Sequence, residues 1–217
     1  MRTIPNEEGE PIKTAPTDQS LEKTEAVANN NSSRRICPLS DEMVKLLVKQ
    51  LGSELSNYHL YRTFAAYFSA QGLPKLEQYF IARADEENHH HNWIFWYLNY
   101  NDAEYMYPEI KAVDIKIPNR VFPFTATVDR EIETTLGINK IVDHAMKEGD
   151  WATFNWLMGD DDEKGRLVKE QVEEESISRT IANMAQEDTD WLTKEDTILS
   201  FYRNPSYDPN QEVEDDD

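Results

Sequence analysis

A single cysteine, Cys37, in 217 residues allows no internal disulfide, so the core rather than covalent staples must hold the fold. Glycine is scarce, at 7 residues, and prolines are widely separated, which argues for one helical domain over a turn-rich sandwich. Basic side chains are few: 22 Lys and Arg against 42 Asp and Glu give a formal net charge of -20. Phosphate binding needs clustered Lys and Arg, so that balance argues against nucleic-acid and anionic-membrane partners and is compatible with attracting cations. No apolar run reaches about 18 residues, and no positively charged start leads into an apolar stretch. Neither a membrane span nor a secretory signal is expected, and the expectation is a cytoplasmic protein.

What is present divides into three parts. Residues 1–39 are rich in Pro, Asn, Ser, Thr and Glu with almost no bulky apolar side chains, and are predicted to be a disordered leader. Residues 40–202 are predicted to form an all-α four-helix bundle, and the polar, acidic stretch 203–217 a disordered tail. Ser40 is a good N-cap for a first helix with the stripe Leu47, Leu51, Glu54, Tyr58, Tyr61, Ala65 and Phe68. Gln71-Gly72-Leu73-Pro74 reverses the chain into a second helix, predicted from about Pro74 to Tyr100. The proline-interrupted stretch 101–124 is long enough for a crossover along the bundle, so the third helix, expected from about Thr125 to Lys147, starts at the same end as the second. A turn at Glu148-Gly149-Asp150 leads to a fourth helix, and a short fifth helix is expected between Asp188 and Tyr202. Two glycines and an acidic cluster make 158–165 an expected insertion.

The second helix carries the most informative run, A-D-E-E-N-H-H-H-N-W-I-F-W-Y-L from Ala84 to Leu98. Glu87 and His90 are three apart and share a helix face, so they can hold one metal ion from one side. Each of the other helices carries a carboxylate on its core-facing stripe: Glu54 on the first, Glu131 on the third, and Glu170 and Glu174 on the fourth. Converging buried carboxylates repel one another unless cations lie between them. Oxygen ligands with one imidazole suit iron or manganese, and glutamates on every helix with Glu-x-x-His is the di-iron carboxylate arrangement.

At these residues the chain resembles the ferritins, most closely the bacterial non-haem type. The resemblance rests on L-G-S-E-L-S-N-Y-H-L-Y around Glu54, A-D-E-E-N-H-H-H, D-W-A-T-F-N-W-L from Asp150 and E-Q-V-E-E-E from Glu170, and it covers about residues 39–199. It implies that Glu54, Glu87 and His90 hold one iron, and that Glu87 bridges to a second held by Glu131 and Glu174, with Gln171 hydrogen-bonding nearby. A third, weaker iron site would use Glu86, Glu170, Glu173 and Glu174. Tyr61 matches a tyrosine beside the centre that supplies an electron, although a plain core role for it is the simpler reading. The implied activity is a ferroxidase: Fe(II) is oxidised by dioxygen or hydrogen peroxide, and Fe(III) mineral is stored in a homo-oligomeric shell, in the family one of twenty-four subunits.

Other features read more plainly. His89 and His91 have no assigned ligand role, the acidic runs are solvated loop and tail, and the tryptophans serve packing and subunit contacts. The alternative function is a di-iron oxidase or peroxidase of the same superfamily that stores no iron. Such enzymes usually repeat Glu-x-x-His in the second helix pair, whereas here Glu170 is followed three on by Glu173, and Glu174 by Ile177. A rubrerythrin-type module needs four cysteines, and the chain has one.

Overall fold

The side chain of Ser40 accepts a hydrogen bond from the Met43 N–H at 3.1 Å, and Asp41 and Glu42 follow it at the positive end of the helix dipole. Helix α1, Asp41–Ala70, begins there as the sequence predicts. The computed structural model describes residues 39–159 and 167–203. The expected leader, insertion and tail fall outside those residues, apart from Leu39, Met158, Gly159 and Arg203.

Helix α2, Pro74–Tyr100, opens on a proline whose missing N–H has no intrahelical partner to lose. The same reasoning moves the start of α3, Phe122–Glu148, three residues ahead of the expected Thr125. Pro123 sits in its first turn, and Asn119 Oδ1 accepts from the N–H groups of Val121 and Phe122 at 3.0 and 2.9 Å. Gly149 ends α3 in the left-handed region at φ 71°, and Asp150 caps the short helix α4, Trp151–Leu157, by accepting from the Thr153 N–H. Helices α5, Leu167–Gln186, and α6, Trp191–Arg203, complete the described chain.

The apolar core falls into two clusters, and their membership fixes the helix directions. One holds Phe68 from the end of α1, Leu76 from the start of α2, Phe124 from the start of α3 and Ile181 from late α5. The other holds Met43, Leu98, Ala145 and Leu167, from the opposite ends of the same helices. Helices α1 and α2 are therefore antiparallel, α2 and α3 parallel, and α3 and α5 antiparallel: a four-helix bundle with one long crossover. Residues 101–121 make that crossover without helix or strand, Ala103 and Tyr105 packing on the second cluster and Val113, Ile115 and Ile117 on the first. Helix α6 packs on α2 and α5. Among the described residues no helix is long and apolar enough to cross a membrane.

Between the clusters lies a layer of buried polar side chains. Glu54 and Asn57 come from α1, Glu87 and His90 from α2, Glu131 and Thr134 from α3, and Gln171 and Glu174 from α5. Every bundle helix therefore carries a polar residue at mid-height where an apolar one would pack, which costs stability unless the layer has another use.

Candidate metal centre

Because each ligand-type residue sits near the middle of its helix on the inward face, four separate segments meet at one level. Three trios bring one ligand atom of each member within 4.8 Å of the others: Glu54, Glu87 and His90; Glu87, Glu131 and Glu174; and His90, Glu170 and Glu174. Glu87 belongs to the first two, the placement a bridge between two cations requires. Glu54 Oε2, Glu87 Oε1 and Glu174 Oε2 are buried with no N–H or hydroxyl donor. Orphaned carboxylate oxygens in a dry interior are unfavourable by about 1–3 kcal/mol each or more, and they are the donors a hard divalent cation takes. The residues thus fit iron.

The electrostatics of the metal-free centre follow from burial and crowding. Burial pushes Glu54 up against the opposing pull of His90. Burial, reinforced by the charges of Glu131, Glu54 and Glu174, raises Glu87 well above the usual carboxylate range. Burial carries Glu174 up to about 8 although His90 and Arg83 act the other way. For His90 burial opposes the charge, but Glu174, Glu170 and Glu54 outweigh it and lift the imidazole to about 10. Glu131 moves down: Arg83, Tyr61 and Gln171 together outweigh its burial.

Around the trios is a layer of hydrogen-bonding side chains, of which sequence reasoning named two. The Tyr61 hydroxyl donates to Glu131 Oε1 at 2.6 Å, and Gln171 Nε2 donates to Glu131 Oε2 at 3.0 Å. Three more were missed. Gln50 Nε2 donates to Glu54 Oε1 at 2.8 Å; Asn57 Nδ2 reaches Thr134 at 3.1 Å and Glu87 Oε2 at 3.4 Å; and Arg83 donates to Glu131 Oε1 at 2.6 Å. Asn57 is itself oriented by Arg130, whose Nε donates to Asn57 Oδ1 at 2.7 Å. A sequence signal existed for each: Gln50 and Asn57 lie one turn either side of Glu54, and Arg83 one turn before Glu87.

The remaining expected site residues stand further out. Glu170 is half-buried and its Oε2 lies 2.9 Å from His90 Nε2. Glu86 and Glu173 join none of the trios; Glu86 accepts from Arg83 at 2.5 Å and from the Tyr202 hydroxyl of α6 at 2.6 Å. Both line a cavity of about 450 Å³ that runs from exposed His89 to buried Glu174. His91 is buried and bonded to the Tyr107 hydroxyl at 2.7 Å, a clip between α2 and the crossover.

Comparison with known proteins bears on the family and the fold. Residues 44–186 match the family model of the ferritin-like domain. The chain is 30% identical over 145 residues to the bacterial non-heme ferritin of Campylobacter jejuni, covering 67% of this chain and 83% of that one. Among solved structures, an open-pore ferritin from the hyperthermophilic archaeon Archaeoglobus fulgidus superposes with a TM-score of 0.66 at 27% identity, over 75% of this chain and 96% of the other. Chlorobium tepidum ferritin gives 0.64 at 26% identity, over 76% and 95%.

Proposed function

The chain belongs to the ferritin family, being most like the bacterial non-heme ferritins, and from that premise we propose that it takes up Fe(II), oxidises it at a two-iron centre and stores the ferric product. Iron is the substrate here rather than a resident cofactor. Glu54, Glu87 and His90 hold one Fe(II); Glu87 bridges to the second, held by Glu131 and Glu174. Gln171 orients Glu131. Glu170, Glu173 and Glu174, with Glu86, form a third and weaker position on the cavity side.

The observation that carries this reading is Glu87, shared between two buried ligand trios. Paired ions let two electrons pass to one oxidant: each Fe(II) gives up one, and dioxygen takes both with two protons to leave as hydrogen peroxide. Hydrogen peroxide as oxidant takes two electrons and two protons and leaves as two waters. Hard carboxylate oxygens favour the ferric product. The net charge of -20 supports drawing cations towards the centre.

Storage requires a shell. Large apolar side chains exposed on the single chain, Trp96 at 56% and Trp151 at 61%, support subunit contacts, and the proposal is a homo-oligomeric shell of twenty-four copies in the cytoplasm. Sedimentation after aerobic incubation with Fe(II) tests it. A large particle retaining many more ferric ions than its centres can bind is expected; a monomer or dimer holding no iron would leave the superfamily oxidase or peroxidase as the reading.

A further inference from the structure

Helix α6 reaches the cavity beside the metal centre through one hydroxyl. Its last turn places half-buried Tyr202 against α2, where the ring meets Tyr79 edge-on at 5.1 Å and the hydroxyl donates to Glu86 Oε1 at 2.6 Å. The other oxygen of that carboxylate, Glu86 Oε2, accepts from Arg83 at 2.5 Å. Both oxygens of Glu86 are therefore turned to donors of the chain itself. Tyr202, Glu86 and Arg83 line the cavity together with Glu170, Glu173 and Glu174. The first turn of α6 anchors the helix that carries the hydroxyl. Lys194 Nζ donates to Ala185 O at 3.0 Å in the last turn of α5, and Glu195 Oε2 accepts from the Lys75 N–H at 3.0 Å in the first turn of α2. Carbonyls at a helix C-terminus and N–H groups at an N-terminus lack intrahelical partners, and the dipole favours a cation at the first and an anion at the second. Two adjacent buried residues thus cap two different helices, with the Lys194 ammonium 4.5 Å from the centre of the Trp191 ring. Tyr202 acts from an element tied to the ends of both.

We propose that Tyr202 is a positioning residue that decides when Glu86 can ligate: its hydroxyl keeps Glu86 out of the third metal position, on whose proposal above this inference rests. The carboxylate joins Glu170, Glu173 and Glu174 only when the hydroxyl lets go. A carboxylate oxygen that accepts a short hydrogen bond is aimed at its donor and offers less to a cation. Of the two donors, the tyrosine is the one able to yield. Arg83 is 1% exposed, and leaving its guanidinium short of a partner unpairs a buried charge, whereas the Tyr202 hydroxyl is neutral. Through Tyr202, α6 thereby sets the negative charge that an ion meets between His89 and Glu174.

Terbium(III), a hard cation whose luminescence is sensitised by a nearby indole, reports the cavity through Trp93, which lines it. The step belonging to the cavity is the one whose emission falls in Trp93→Phe and whose affinity falls in Glu173→Gln. In titrations of the assembled full chain, Tyr202→Phe is expected to tighten that step about tenfold or more, because a carboxylate joins the ligand set. Adding Glu86→Gln to Tyr202→Phe is expected to restore the wild-type affinity, which a mere loosening of α6 would not do. Glu86→Gln alone is expected to leave the step unchanged, since Tyr202 already holds that side chain away, and this variant stays decisive if Tyr202→Phe fails to assemble. A step unmoved by Tyr202→Phe, tightened equally in the double variant, or weakened by Glu86→Gln alone would overturn the role of Tyr202 and leave the third position standing. Emission indifferent to both Trp93→Phe and Glu173→Gln would overturn the third position and this role with it.

Discussion

The phenol of Tyr61 and the carboxylate of Glu131 face each other across the bundle, with the hydroxyl donating at 2.6 Å and both side chains shielded from water. Burial, together with the charges of Glu131 and Glu87, raises the phenol's pKa well above its usual value, which suits Tyr61 to its part as the donor in this bond. Tyr61→Phe removes one of three donors to Glu131 without opening a cavity. A hydrogen bond to a charged group is worth about 1.5–3 kcal/mol, and the surviving bonds from Arg83 and Gln171 put the expected loss at the lower end. Thermal unfolding of the metal-free protein checks this. Unchanged electron stoichiometry in the variant assigns Tyr61 to the core, whereas a changed count of Fe(II) oxidised per oxidant assigns it a redox role.

Gly137 makes room for a residue that steadies the first metal position. A Cβ there would lie 2.0 Å from Gln50 Oε1, and Gln50 is the donor to Glu54. The amide end of Gln50 can swing aside, so Gly137→Ala is expected to keep the fold; the helix-propensity gain of about 1 kcal/mol works in its favour. Glu54 then loses its orienting partner. Loss of an outer-shell hydrogen bond lowers metal affinity by roughly 10–100-fold, and a fall at the low end is expected for Zn(II) binding at Glu54, Glu87 and His90. Unchanged affinity would show that Gln50 does not hold Glu54 for the ion.

Metal uptake should release protons and strengthen with pH. Glu174 is pushed up to about 8 and His90 to about 10, and Glu54 and Glu87 are shifted in the same direction, so the metal-free centre as a whole retains protons above the usual carboxylate range. A cation competes with each of those protons. Apparent affinity therefore rises as the pH climbs from about 6 to about 8, and falls as acid refills the sites. Titration in buffers of different ionisation enthalpy measures the protons released. Zero release, with affinity flat over that range, would show that the ligands are already ionised before the ion arrives.

The legible parts of the sequence were those where one residue type breaks a pattern. Ser40, Pro74 and Gly149 gave helix boundaries because each suits a single terminal position, and α1 and α2 match the expected spans. Pro123 lies inside α3 rather than ahead of it, because proline is tolerated in a first turn. The carboxylates stood out because Glu54, Glu87 and Glu131 interrupt apolar stripes, and buried charge demands a reason. Asn57 and Arg83 were overlooked for the complementary reason. The stripe placed Tyr58 inward, whereas Tyr58 is half-buried and Asn57 fully buried; Arg83 lies beside Ala84 on a face wider than one residue per turn. A polar side chain next to a stripe reads as solvated until the third dimension shows what it touches.

Glu87 is common to two ligand trios, and its role as the shared ligand is tested most directly by aerobic Fe(II) oxidation by the assembled wild type and by Glu87→Ala. Removing Glu87 takes one ligand from each of two trios and relieves the repulsion it makes with Glu54 and Glu131. The variant is expected to assemble like the wild type and lose at least 100-fold in the initial oxidation rate, on the order of the loss when a group essential to the reaction is removed. An assembled Glu87→Ala protein that oxidises Fe(II) at the wild-type rate would contradict the centre described above.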